Sequence, residues 1–279
     1  MKLGMNIRNW GIHATPDFLT ACAQSADNSS LDAIWFNDHV GLPPVLDDNP
    51  YGIPADMGPI IDPLAFGNFL AAVTRRIAFG TAVLIIPYRP PLITNKLIAS
   101  IQVLSGNRFL LGVGPGYLEE EFRALGVPKS RRGQITDDTL AFLRASADSL
   151  VVEVNGQPIE LNPALPMPPV YVGGSAEIAI PRALALGDGW IPAGKPPEDL
   201  QAPITELQNR ARDNGRGDME VIAMKTLPLE DTNAAIDLAC AYRDVGVTHL
   251  VHTQGYDSTA QYAEVVAQID GPIRAALGA

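Results

Sequence analysis

Short apolar runs recur along this chain at residues 3–7, 31–36, 77–86, 109–113, 169–172, 189–191, 220–224 and 247–251. Most are continuous rather than alternating, which suits strands buried on both faces, as in a parallel sheet. The segments between them carry the helical period. One opens on Thr15, Pro16 and Asp17, a cap followed by proline in the first turn, and places Phe18, Cys22 and Ala26 on one face. Others start at Asp62-Pro63 and Pro90-Pro91, the latter running through Ile93, Leu97, Ile101 and Leu104 to a stop at Gly106. Later, Ala235, Leu238, Ala239 and Tyr242, then Tyr262, Val265, Val266 and Ile269, repeat the i, i+3, i+4, i+7 spacing. Two stretches break the alternation. Residues 41–60 are rich in Pro, Gly and Asp and predict a long loop. In 151–161, Asn155-Gly156 between two β-prone runs predicts a hairpin outside the main repeat.

Eight strand–helix units in 279 residues are the count of an α/β (β/α)8 TIM barrel, read here as a single domain over 1–279. The competing arrangement is a doubly wound open sheet. A dinucleotide fingerprint would mark such a sheet, and Gly112, Gly114 and Gly116 come nearest to one. The third glycine of that motif would fall on Tyr117 or Glu119, and Pro115 constrains the turn, so the fingerprint fails. In a barrel the functional loops gather at the strand C-termini. That brings Asn6, Asp38-His39, 81–83, 114–117, 173–175, Lys195, Lys225 and His252 around one mouth.

Composition narrows the function classes. Hydrophobic residues make up 47% and charged residues 18%, enough for a sizeable core. Lys plus Arg number 20 against 31 Asp plus Glu, a net charge of −11, which argues against nucleic acid or an anionic membrane as partner. No apolar run is long enough to span a bilayer, and MKLGMNIRNW lacks the apolar core of a signal peptide. The two cysteines, Cys22 and Cys240, form no disulfide framework and have no metal-type spacing. The expected setting is the reducing cytoplasm.

The stretch SGNRFLLGVGPGYLEEEF, residues 105–122, is the most informative. Its strand ends in Gly114, Pro115 and Gly116, where a backbone without Cβ atoms admits something flat or charged, and Tyr117 adds a hydroxyl at the mouth. Asp38-His39 offers a general acid or base with an adjacent carboxylate, or else a loop cap with a packed imidazole beneath it. Gly173, Gly174 and Ser175 lead straight into a helix. They read either as a phosphate cradle on free N–H groups or as an ordinary cap. His249 and His252 fall three apart on a strand and so on opposite faces, which leaves no metal site. Lys195 and Lys225 either reach an anion at the mouth or are solvated.

Taken together, Asp38-His39, RIAFGTAV at 76–83, the block at 104–127 and PPVYVGGSAEIAIPRALALGDGWIP at 168–192 resemble the bacterial luciferase-like monooxygenase family. Within it they look most like the oxidoreductases dependent on the deazaflavin coenzyme F420. The resemblance implies a barrel holding a ring, F420 or alternatively FMN, in its C-terminal mouth. It implies His39 as acid/base, with Asp38 and Tyr117 assisting, and a cis Ala82–Val83 bulge behind the ring. Gly114 and Gly116 would lie against the cofactor, Gly173, Gly174 and Ser175 would take its phosphate, and Lys195 would stand near it. A small-molecule substrate and a homodimer formed through helices near the second and third strands are also implied. A relative that binds flavin without turnover is the other class. Two departures matter. Tyr117 stands where the deazaflavin-dependent sugar-phosphate dehydrogenases have glutamate, and no tryptophan stands near Pro43, so a sugar phosphate is not the expected substrate.

Overall fold

The apolar runs pair as parallel strands around a closed ring. The computed structural model describes residues 1–43, 57–192 and 194–278. The chain runs β1 (Lys2–Asn6), α1 (Pro16–Asp27), β2 (Ala33–Phe36), α2 (Pro63–Val73), β3 (Ala78–Thr81), β4 (Leu84–Ile85) and α3 (Pro91–Ser105). It continues through β5 (Phe109–Gly114), α4 (Glu119–Ala124), α5 (Arg132–Asp148), β6 (Val151–Val154) and β7 (Gln157–Glu160). Next come β8 (Val170–Gly173), α6 (Ala176–Leu186), β9 (Gly189–Ile191) and α7 (Pro197–Asp213). The last elements are β10 (Glu220–Lys225), α8 (Thr232–Asp244), β11 (His249–His252), α9 (Thr259–Gln268) and α10 (Arg274–Leu277).

Neighbours follow the order β3-β2-β1-β11-β10-β9-β8-β5, and β5 returns to β3 through Phe79↔Phe109 and Gly80↔Leu110. The sheet therefore closes into an eight-stranded TIM barrel, with β6 and β7 as a separate antiparallel hairpin. No helix among the described residues is long and apolar enough to cross a membrane. Residues 44–56 of the expected 41–60 loop lie outside the described residues.

Strand alternation splits the core in two. On β1, Leu3 and Met5 join the outer layer against the helices, while Gly4 backs onto the indole of Trp35. The barrel interior is packed with Trp35, Tyr171, Ile191, Ile222 and Val251. At the N-terminal end, the Glu220 carboxylate gathers His249 Nε2 at 3.0 Å, Tyr171 Oη at 2.6 Å and Lys2 Nζ at 2.9 Å. His249 above all, with Tyr171 and Lys2, holds that carboxyl well below its usual range against the opposing effect of burial. His252 turns to the other face, as the alternation requires. Its Nδ1 accepts from the Leu227 N–H and its Nε2 pairs with the Gln254 side chain.

The run predicted as one strand over 77–86 is interrupted. β3 pairs with the first half of β5, and β4 resumes on the same strand at Leu84↔Val113 and Ile85↔Gly114. Between them the Thr81 hydroxyl donates to the Gly112 carbonyl at 2.7 Å, and the Ala82–Val83 peptide is cis, as the resemblance implied. Gly112 permits this contact, because a Cβ there would run into the Thr81 carbonyl oxygen. That obstacle is backbone and cannot rotate away. Gly112→Ala is expected to cost about 3 kcal/mol or more, read as a lowered denaturant midpoint, since overpacking a rigid site costs ~1–3 kcal/mol and sometimes more. An unchanged midpoint would show that the bulge is looser than described.

Candidate active site

Beyond Phe36 the chain leaves β2 through Asn37, Asp38 and His39, and three side chains from elsewhere hold it. Buried Asn9 donates to the Asn37 carbonyl at 2.9 Å and to the Ile61 carbonyl at 2.7 Å, and accepts from the Asn37 N–H at 3.1 Å. Arg89 grips Asp38 through two bonds of 2.6 and 2.9 Å and also donates to Asp62 at 2.6 Å. The other Asp62 oxygen caps α2 through the Leu64 and Ala65 N–H groups. Burial lowers the Arg89 pKa, but its bonds to the two carboxylates more than reverse this, and the guanidinium stays charged.

The third anchor is Glu121, which is 2% exposed. One oxygen accepts from the Val40 N–H at 2.7 Å. The other lies 3.0 Å from His39 Nδ1 and accepts from the Tyr88 hydroxyl at 2.8 Å. Burial opposes its ionisation, yet these bonds hold the carboxyl below its usual range. Glu121 is thus an acceptor, His39 donates Nδ1–H to it, and Nε2 is left with no partner among the described residues. The Tyr117 ring meets the His39 ring edge-on, with centroids 6.0 Å apart.

Val83, which lines the same cavity as His39, wedges between β5 and β8. A Cβ at Gly114 would lie 2.6 Å from Val83 Cγ2, and one at Gly173 would lie 2.7 Å from Val83 Cγ1. These glycines make room for the bulge itself. Gly116, with φ of 77°, needs its freedom to turn the chain past Ile85.

Together these groups enclose a cavity of about 360 Å³, within the range of small-molecule sites. His39, Asp38 and Tyr117 line it with Ala82, Val83, Gly114, Gly116, Gly173, Gly174, Ile191 and Met224. Larger recesses lie elsewhere, such as one of about 610 Å³ along α7 lined by Glu198 and Arg210, away from every strand end. Ser175 and Lys195 belong to an adjoining recess of about 400 Å³ that shares Gly174. Ser175 caps α6 without a side-chain bond to a backbone N–H. The exposed Glu177 carboxylate is held below its usual range by its own N–H and the Ser175 hydroxyl. Lys195 faces this carboxylate and stands 3.9 Å from Asp199. Lys225 shares the outward face of β10 with Val221 and Ala223.

Apolar side chains of Ala82, Val83, Ile191 and Met224, several glycines and one imidazole line the same cavity, which are parts a tricyclic ring can use, so the residues present fit a flavin or deazaflavin. Gly174 and Ser175, shared with or lining the adjoining recess, fit its phosphate end.

The barrel and its mouth define a TIM-barrel protein with a cavity at the strand C-termini. Residues 4–269 match the luciferase-like monooxygenase family, and the chain belongs to it. An uncharacterised protein of Mycobacterium tuberculosis is 33% identical over 167 residues, and this match spans 58% of the chain and 58% of that relative's length. Two solved structures share the fold. One is an F420-dependent secondary alcohol dehydrogenase in complex with an F420–acetone adduct, with TM-score 0.77, 14% identity, and coverage of 98% of this chain and 99% of that one. The other is the oxygenating constituent of the 3,6-diketocamphane monooxygenase of Pseudomonas putida in complex with FMN. It has TM-score 0.77, 11% identity, and coverage of 98% of each chain.

Of the positions expected at the mouth from sequence, Asp38, His39, Ala82, Val83, 114–117, Gly173 and Gly174 line the main cavity, Ser175 and Lys195 line the adjoining recess, Asn6 and Thr81 line neither, and Lys225 and His252 turn away. The Asp38 carboxylate, however, is committed to Arg89 and the Ile85 N–H rather than offered to the cavity. Sequence reasoning missed Glu121, Tyr88, Arg89 and Asn9. Arg89→Met would leave Asp38 buried without a counter-charge, a loss of about 3–5 kcal/mol. A chemical-denaturation midpoint close to that of the wild type would show that the Asp38–Arg89–Asp62 tie is dispensable.

Proposed function

We propose that this protein is an oxidoreductase that transfers a hydride between coenzyme F420, held in the mouth, and an organic substrate such as a small alcohol or ketone. The observation that carries this reading is the orientation of His39. Glu121 holds Nδ1 at 3.0 Å, so Nε2 is the nitrogen presented to the cavity that His39 lines. When bound, the deazaflavin supplies a two-electron hydride acceptor or donor. In the oxidative direction Nε2 takes the hydroxyl proton as the hydride leaves the same carbinol, and in the reductive direction it returns a proton to the carbonyl oxygen. Glu121, locked by Val40 and Tyr88, keeps the imidazole in the tautomer this exchange needs and balances the charge it gains. Ala82 and Val83 support the ring from behind, Tyr117 orients the substrate, and Asp38 acts through Arg89 to hold the His39 loop. Gly173, Gly174 and Ser175 take the phosphate.

One observation favours FMN, and with it monooxygenation, as the second reading. Lys195 is already offset by Glu177 and Asp199, while the F420 tail brings further carboxylates that FMN lacks. Arg131 and Arg132, at the start of α5 on the mouth side, are further cations for such a tail.

Two measurements test the reading. Titrating each ring into the apo-protein at low and moderate salt should show tighter, salt-sensitive binding of F420, because screening within a Debye length of ~8–10 Å weakens the tail contacts. Glu177→Gln should strengthen binding of either ring. Tighter FMN binding with no salt-sensitive preference for F420 would overturn the choice. In turnover with a panel of secondary alcohols and ketones, His39→Ala should lose on the order of 10²- to 10⁴-fold while ring affinity stays unchanged. Wild-type rates in that variant would make His39 a packing residue.

A further inference from the structure

No residue of β1 or β11 lines the main cavity. The segments that follow those two strands build a second recess of about 230 Å³, walled by Arg8, Trp10, His13, Phe18, Tyr256 and Asp257. Arg8 dominates it. Its guanidinium carbon lies 4.4 Å from the centre of the Trp10 ring, a cation–π stack. From another side Gly255 comes so close that a Cβ there would lie 2.7 Å from Arg8 Nη2. The group is thus held in place by an aromatic face and bare backbone.

Unlike Arg89, Arg108 and Arg274, which donate to carboxylates or carbonyls, Arg8 makes no hydrogen bond or ion pair among the described residues. Asp257 and Tyr256 act on it only through space, and burial outweighs them in lowering its pKa, though a guanidinium remains charged. The polar groups beside it are already satisfied by one another. Tyr256 donates its hydroxyl to Asn6 Oδ1 at 3.0 Å, and Asn6 donates to the Gln254 carbonyl at 3.0 Å. A partly buried, positioned and unpaired cation lacks an anion.

We propose that the recess beneath Arg8 is a carboxylate subsite of the active site, so that the substrate is a small organic acid. This rests on the reading of the mouth given above. A single planar guanidinium offers the paired N–H fork that matches a carboxylate. Trp10, Phe18 and Tyr256 give the attached carbon chain an apolar wall. The volume is below the ~300–1,000 Å³ of larger ligand sites, so it takes a head group rather than a whole ligand. Asp257 at the rim penalises a second negative charge, which selects a monoanion over a phosphate dianion. Placement fits as well. The Ile7 N–H donates to the Trp35 carbonyl at 2.8 Å, so Arg8 stands one strand across from Asn37 and, at ~4.8 Å between strands, on the order of 10 Å from His39. A short acyl chain is long enough for that gap.

Benzoate and its neutral analogue benzamide are suitable probes for calorimetric titration. The wild type should bind benzoate and not benzamide, Arg8→Gln should lose benzoate affinity at least tenfold, and Asp257→Asn should gain affinity. Both variants should bind the ring as the wild type does. Equal benzoate affinity in Arg8→Gln, equal binding of benzamide, no gain in Asp257→Asn, or no benzoate binding by the wild type at about 10 mM would each overturn the subsite. A protein that binds benzoate as expected but neither ring would refute the cofactor reading and leave the anion site standing.

Discussion

The candidate site depends on one buried carboxylate. Glu121 sits almost without solvent and would be costly as an isolated charge, but the Val40 N–H, the Tyr88 hydroxyl and His39 Nδ1 converge on it. The same bonds that make this charge tolerable fix the loop after β2 and the tautomer of its histidine. An alkyl group at 121 would leave His39 free to rotate, and the nitrogen facing the cavity would no longer be defined. The neighbouring Asp38–Arg89–Asp62 tie does for the loop backbone what Glu121 does for the imidazole. Two carboxylates near one another thus have different tasks, each set by what it is bonded to.

The barrel supplies the rigid frame that lets these bonds hold. Closure through β3 and β5 leaves no free edge, and Trp35, Tyr171 and Ile222 pack the lumen so that the mouth has a solid floor. Where β3 gives way to β4, Val83 is pushed into the mouth, glycines at 114 and 173 accept it from the two following strands, and Gly112 accepts the Thr81 carbonyl. The apolar surface on one side and the oriented imidazole on the other follow from the same local break in the ladder. Electrostatics at the rim are less settled in favour of an anion. Asp199 stands 3.9 Å from Lys195 and Glu177 lies within the field of the same lysine, so its charge is largely answered.

Much of this was legible in the sequence. The eight buried runs and their helical spacers specify the barrel, and the strand-end positions then collect themselves, because topology puts them there. What escaped was chemistry whose partners lie far apart in the chain. Glu121 is one of three consecutive glutamates that look alike as a solvated helix start, and only the fold turns the third inward beside Phe122. Arg89 precedes two prolines and carries no local signal, because its partners lie 51 and 27 positions away. The glycines at 114 and 173 were read as making room for a ligand, and they first make room for Val83. Lys225 shows the limit of strand-end reasoning, since alternation on β10 sends it to the outer face.

The proposed chemistry needs His39 to present Nε2 to the mouth. Nitrogen chemical shifts of His39 in protein labelled with ¹⁵N-histidine, recorded with and without saturating deazaflavin, read this directly. Protonated Nδ1 with an unprotonated Nε2 in the free protein, and a shift at Nε2 when the ring binds, are the predicted result. Protonation at Nε2 in the free protein, or an Nε2 signal unmoved by a saturating ring, would contradict it.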